Sequence, residues 1–174
     1  MKTFRQFILE SPEKQKISIF PGRFQPFHNG HKKIIEMMRY EPVVLLVKGE
    51  GTSGNKEKNP FDEKYQEYMI RKVFPGIEIT VIRNVNLSPI RYHLEKSGER
   101  EVGEILAGPD RIPSYRSQLK DFVDRIRFTE TPRVTSATAV RETIRTNNEA
   151  EFKRLMPHQL WNEWDKMVEI MKSA

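Results

Sequence analysis

Apolar and polar positions along this chain fall into short strand-like runs and helical spacings. Residues 16–20 (KISIF) read as a short buried strand closed by Pro21-Gly22. Ile34, Ile35 and Met38 then recur at helical spacing between about Gly30 and Tyr40. Residues 43–47 (VVLLV) form a continuous β-branched and leucine run, the pattern of a central parallel strand covered on both faces. A polar Gly/Lys/Ser loop covers 49–58. Asn59-Pro60 then predicts a helix start, with Asn as cap and Pro at the first helical position. Phe61, Tyr65, Tyr68, Met69 and Val73 give that helix its buried side, and Pro75-Gly76 stops it. Ile77, Ile79 and Val81 alternate as a third strand, and Val102 to Ala107 predict another that ends at Gly108-Pro109-Asp110.

Strand and helix in alternation predict an α/β fold: a Rossmann-like parallel sheet with flanking helices, right-handed crossovers and a helical C-terminal region. Such sheets bind ligands at the C-terminal ends of their strands. Residues 1–15 read as a separable arm ending in the breaker-rich Ser11-Pro12 region, and 16–174 as one domain. Near the C-terminus, Leu160, Trp161, Trp164, Met167, Val168 and Met171 make one apolar stripe behind Pro157, read as a helix packed on the domain or binding a partner.

Composition narrows the chemistry. With 174 residues the chain suits one domain with a real core, and having no cysteine it has neither disulfides nor thiolate metal sites. No apolar run approaches the ~18–20 residues of a membrane span, and no signal-like stretch opens the chain, so a cytoplasmic protein is expected. A net charge of +6 suits nucleic acid or a polyanion such as ATP. The cations are spread along the chain without a dense run or interleaved aromatics, which argues against nucleic acid.

The segment Gly22-Arg23-Phe24-Gln25-Pro26-Phe27-His28-Asn29-Gly30-His31 lies between a predicted strand and a predicted helix. Gly22 and Gly30 let the backbone approach a ligand, and the helix start offers free N–H groups and a positive dipole end, a phosphate site in outline. His28 and His31, three residues apart on the first turn, can each donate to phosphate oxygens, and both are expected to protonate near neutral pH. With only His93 and His158 as further imidazoles, no metal site is expected here.

This segment resembles the HxGH signature of the nucleotidylyltransferase superfamily, and in its full wording the nicotinamide mononucleotide adenylyltransferases. The resemblance implies that His28 and His31 hold the triphosphate and stabilise the transition state of attack on the α-phosphorus. Residues 135–141 (TSATAVR) resemble the superfamily's ISSTxxR motif. There Ser136 can cap a helix, and Thr138 and Arg141 suit the β- and γ-phosphates. Ala137 stands where the pattern has its second serine, which removes one hydroxyl contact. Arg23 and Phe24 lie inside the first motif. Lys48, at the end of the second strand, either reaches phosphate or stands in solvent. Gly108, Asp110 and Arg111 follow a strand where the superfamily contacts nucleotide, although Asp110 and Arg111 can instead pair in a turn. The loop near Asn84 to Ser88 is a candidate for touching the acceptor.

The function implied is AMP transfer from ATP, with Mg²⁺ carried by the nucleotide and no dedicated carboxylate cage, to a phosphorylated small molecule. Nicotinamide mononucleotide is the leading acceptor. Phosphopantetheine adenylyl transfer, cytidylyl transfer from CTP, and a non-catalytic nucleotide-binding protein are the alternatives, and a homo-oligomer is compatible with all of them. The opening MKTFRQFILE resembles the capsid-targeting leader of internal head proteins of T-even-type phages, and Ile8-Leu9-Glu10 fits the Leu/Ile-x-Glu pattern of their maturation cleavage. That resemblance implies a phage-encoded protein made in host cytoplasm and packaged in the phage head.

Overall fold

The computed structural model describes residues 13–48, 56–132 and 136–173. The leader-like arm through Pro12, most of the polar loop after Lys48, and Thr135 lie outside the described residues. Five parallel strands form one sheet in the order β3-β2-β1-β4-β5. They are β1 (Gln15–Gly22), β2 (Glu41–Val47), β3 (Glu78–Ile82), β4 (Arg100–Ala107) and β5 (Arg127–Glu130). Helices α1 (Asn29–Glu36), α2 (Glu63–Val73), α3 (Leu87–Glu95) and α4 (Ile112–Gln118) connect the strands, and α5 (Ala137–Arg145), α6 (Glu149–Leu155) and α7 (Trp164–Lys172) follow them.

Burial on both faces explains why the three central strands read as apolar. Phe20, Val44, Leu46 and Leu106 face one core with Ile34, Met69, Ile70, Val140 and Phe152. Their neighbours in sequence, Ile19, Val43, Leu45 and Ile105, face the other with Leu87, Leu94, Ile112 and Tyr115. The sheet is thus doubly wound, and its strand order reverses direction between β1 and β4.

Four expectations change. The α1 helix ends at Glu36 and does not run to Tyr40. The cap of α2 is Asp62, whose carboxylate accepts from the Tyr65 N–H at 2.9 Å, and not Asn59. The cause lies in Gln25: its amide donates to the Phe61 carbonyl at 2.8 Å and accepts from the Phe61 N–H at 3.0 Å, which draws Phe61 out of the helical ladder. Tyr68 is 47% exposed and outside the buried side. Trp161 also leaves its stripe, because residues 158–163 wind as a 3-10 helix; its indole N–H donates to the Lys153 and Met156 carbonyls at the end of α6. Two helices and one strand, α3, α4 and β5, were not anticipated.

At the N-terminal end of the sheet a carboxylate is built into the core. A bulge between Ile17 and Ser18 in the β1–β4 pairing leaves Gly103 unpaired and sets Ser18 opposite Glu104. Glu104, 2% exposed, accepts from Ser18 Oγ at 2.7 Å, Thr129 Oγ1 at 2.7 Å and the Arg39 N–H at 2.9 Å. An orphaned buried donor costs about 1–3 kcal/mol. Glu104→Ala, which strands three, is expected to lower the unfolding free energy in urea by about 3 kcal/mol; a loss under about 1 kcal/mol would show that water replaces the carboxylate freely.

Candidate functional site

A cleft of about 530 Å³ opens over the C-terminal ends of β1 to β4, at the point where the strand order reverses. Its walls include Gly22 and Arg23 after β1, Lys48 after β2, Arg83 and Asn84 after β3, and Gly108 and Arg111 after β4. Tyr115 and Gln118 of α4 close one side, and no carboxylate lines it among the described residues. Four cations around a concave surface without a carboxylate raise the local concentration of polyanions. Lys48 does not stand alone in solvent: its Nζ lies 2.9 Å from Glu63 on the first turn of α2.

Packing and hydrogen bonds hold the loop between β1 and α1 from several directions. Phe24, 1% exposed, sits at φ 52°, a left-handed conformation a bulky side chain adopts only where its surroundings enforce it. Its ring lies where a Cβ on Gly22 would approach to 2.8 Å, so Gly22 is required by the loop's own packing. The bond before Pro26 is cis. Gln66 of α2 donates to the Arg23 carbonyl, Gln25 grips Phe61, and Arg141 Nη1 donates to the Gln25 carbonyl at 2.7 Å.

The two histidines stack, with ring centroids 3.8 Å apart. His28 is the N-cap of α1, its Nδ1 accepting from the Gly30 N–H at 3.0 Å, and His31 Nδ1 accepts from the His28 N–H at 3.3 Å, completing a capping box. Both Nδ1 atoms are therefore acceptors, which places the proton of each neutral ring on Nε2. The expectation of ready protonation near pH 7 is corrected. Burial pulls His28 down to about 4, and burial together with the charge of His28 holds His31 well below its ordinary value. The pair offers neutral N–H donors.

A pH dependence follows. The unfolded chain binds protons with the ordinary histidine pKa of 6.5 while the native His28 resists them to about 4. Stability is complete above pH 6.5 and declines towards pH 4, by up to about 1.4 kcal/mol per pH unit for each histidine. Urea midpoints are expected to fall from pH 7 to 5, and His28→Asn, which keeps a cap acceptor, is expected to flatten part of that slope. A flat profile in the wild type would mean that the rings are solvated.

Ser136 caps α5, accepting from the Ala139 N–H at 3.1 Å. Arg141, 6% exposed, reaches Thr138 Oγ1 with Nη2 at 3.2 Å and the Gln25 carbonyl with Nη1, while its buried Nε has no acceptor among the described residues. Burial, and next the charge of Arg145, lowers its pKa. The candidates thus fall into two adjoining groups. Gly22, Arg23, Lys48, Gly108 and Arg111 line the cleft, whereas His28, Gly30, His31, Phe24, Thr138 and Arg141 gather around the loop beside it. No ion pair joins Asp110 to Arg111 among the described residues, and the Asp110 carboxylate folds over Gly108, 2.8 Å from where a Cβ would be. Of the loop near Asn84 to Ser88, Leu87 and Ser88 open α3.

Sequence reasoning missed Arg83, Tyr115 and Gln118 in the cleft and Gln66 behind the loop. Gln66 carried a signal, an amide inside the apolar face of α2. Among the described residues no group of three or more His, Asp or Glu is placed to hold a metal ion, and no helix is long and apolar enough to cross a membrane.

Known proteins resemble this chain in sequence and, separately, in fold. A nicotinamide-nucleotide adenylyltransferase of Sulfurisphaera tokodaii is 26% identical over 164 residues, covering 83% of this chain and 88% of the relative. The enzyme of the same name numbered 1 in Sulfolobus acidocaldarius is 32% identical over 75 residues, 42% of each chain. The fold is that of Plasmodium falciparum nicotinic acid mononucleotide adenylyltransferase in complex with NaAD, with TM-score 0.61 at 12% identity over 91% of this chain and 98% of that one. The cytidylyltransferase-like family model matches residues 19–169, a span that takes in both the histidine loop and the Ser136 helix, and the chain belongs to that family.

Proposed function

We propose that this protein is an adenylyltransferase that moves AMP from MgATP to a nucleotide acceptor, with nicotinamide mononucleotide as the acceptor and NAD and pyrophosphate as products. The observation that carries the reading is the Arg141–Gln25 bond, which ties the helix of the second motif to the loop of the first beside a basic cleft. The acceptor's phosphate oxygen attacks the α-phosphorus, the bond from that phosphorus to the β-phosphate oxygen breaks, and pyrophosphate leaves. No protein nucleophile takes part.

Catalysis then rests on positioning two anions that repel each other and on stabilising charge at the phosphorus. In this reading His28 and His31 donate through Nε2, Arg141 supplies positive charge to the leaving phosphates, and the exposed Thr138 and Ser136 stand at the same end of α5. Arg23, Lys48 and Arg111 hold phosphates from the cleft side, with Gly22, Gly30, Phe24 and Gly108 shaping the approach; Asp110 contributes through the Gly108 turn. Mg²⁺ enters as part of the substrate, held by phosphate oxygens and water.

The test is pyrophosphate release from MgATP with nicotinamide mononucleotide, beside nicotinate mononucleotide, phosphopantetheine, and CTP with alcohol phosphates. NAD formation is expected. Release only with CTP, the nucleotide in the family's name, would replace the adenylyl reading by the cytidylyl one. ATP binding without release on any acceptor would make this a non-catalytic nucleotide-binding protein, the direction in which Ala137 points. We also propose that residues 16–174 act as one cytoplasmic unit and that the first 15 residues are a phage head-targeting leader. Purified virions should then contain the chain cleaved after Glu10, and its absence from particles would remove that role.

A further inference from the structure

Helices α2 and α7 line a second, open pocket of about 550 Å³, within the size range of small-molecule sites and sharing no lining residue with the cleft. Its walls carry Tyr65, Tyr68, Lys64, Lys166, Asp62 and Ile170. Tyr65 and Tyr68, one helical turn apart, lie with rings 19° from parallel and centroids 5.9 Å apart. Tyr65 is 7% exposed and fixed in the core, and Tyr68 rests on it with its ring nearly half exposed. An aromatic ring seated on a buried one is a stacking surface that loses little freedom on binding.

Cations surround these rings. Lys166 Nζ is 5.0 Å from the Tyr65 centroid. Lys72 Nζ is 5.6 Å from the Tyr68 centroid and is held by Asn162 Oδ1 at 2.7 Å. Among the described residues the one acidic group in the wall, Asp62, already accepts from the Tyr65 N–H as the cap of α2. Tyr65 Oη is buried without a hydrogen-bond partner among the described residues, so the inner wall keeps one unspent polar atom.

We propose that this pocket is a second ligand site, for a planar aromatic anion of the mononucleotide class: the ring stacks on Tyr68, and the phosphate lies between Lys64 and Lys166. Such a ligand uses both features of the wall, the flat aromatic step and the lysine pair. An inorganic anion would use only the lysines, and an apolar ligand would leave them unpaired.

The test is titration of the isotope-labelled full chain with AMP, following backbone amides. AMP is expected to shift two groups of signals with separate saturation, one around Gly22 and Arg111 and one around Lys64, Tyr68 and Lys166. Tyr68→Ala and Lys166→Glu are each expected to weaken the second response about tenfold or more while leaving the first, and turnover, unchanged. Dispersion of the remaining signals reports that the variants fold. No response at the second group up to millimolar AMP overturns the site, as does equal response to inorganic phosphate alone. A single-stranded oligonucleotide that binds the same amides about tenfold tighter than AMP would instead make the surface a nucleic-acid path. None of these readings depends on turnover, so failure here and failure of the proposed reaction are distinguishable.

Discussion

His31→Ala is expected to reduce kcat by about 10²–10³-fold, the usual consequence of deleting one preorganised donor to transition-state charge. The substitution also removes the acceptor of the His28 N–H and a ring packed against His28, Phe24 and Phe27. Loss of a cap alone costs about 1 kcal/mol, so a modest fall in stability should accompany the kinetic loss. His31→Asn separates the two effects: its amide oxygen can accept from the His28 N–H, while its short side chain cannot bring a donor to the position of Nε2. Stability is expected to recover in the Asn variant and kcat is not. A decrease in kcat below about tenfold in the Ala variant would take His31 out of the reaction.

Arg141→Met is expected to be comparably inactive and less stable, because the guanidinium serves two purposes. Its Nη1 satisfies the Gln25 carbonyl, and an orphaned buried acceptor costs about 1–3 kcal/mol. Its charge acts on the phosphates in the proposed reaction, so kcat/KM should fall about 10²–10³-fold. Arg141→Lys keeps the charge but lacks the planar fork that reaches Gln25 and Thr138 together. It should recover part of the activity and little of the stability. Full activity in the Met variant would reduce Arg141 to a brace for the loop.

What could be read beforehand follows from burial. The strands β1, β2 and β4 are covered on both faces, and their apolar runs announced them. By contrast α3 buries only Leu87 and Leu94, and α4 only Ile112 and Tyr115, too few positions to mark a period. The four residues of β5 have no apolar run, and pairing with β4 makes them a strand. The histidine loop was legible as residue types and spacing, down to the helix that begins behind it. The charge state was not, because the stacking of His28 on His31 under Phe24 and Phe27 is a tertiary fact. Likewise Asn59-Pro60 had sound capping chemistry and lost to Gln25, which claimed the Phe61 backbone from 36 residues away.

The bond from Arg141 to Gln25 spans 116 residues of sequence. During synthesis at about 5–20 residues per second, the arginine leaves the ribosome roughly 6–23 s after the loop it will brace. A nascent chain is therefore expected to possess the paired imidazoles well before the cation that completes them. Nucleotide captured in that interval would meet an unassembled machine, and the chain would stay chemically silent until α5 docks.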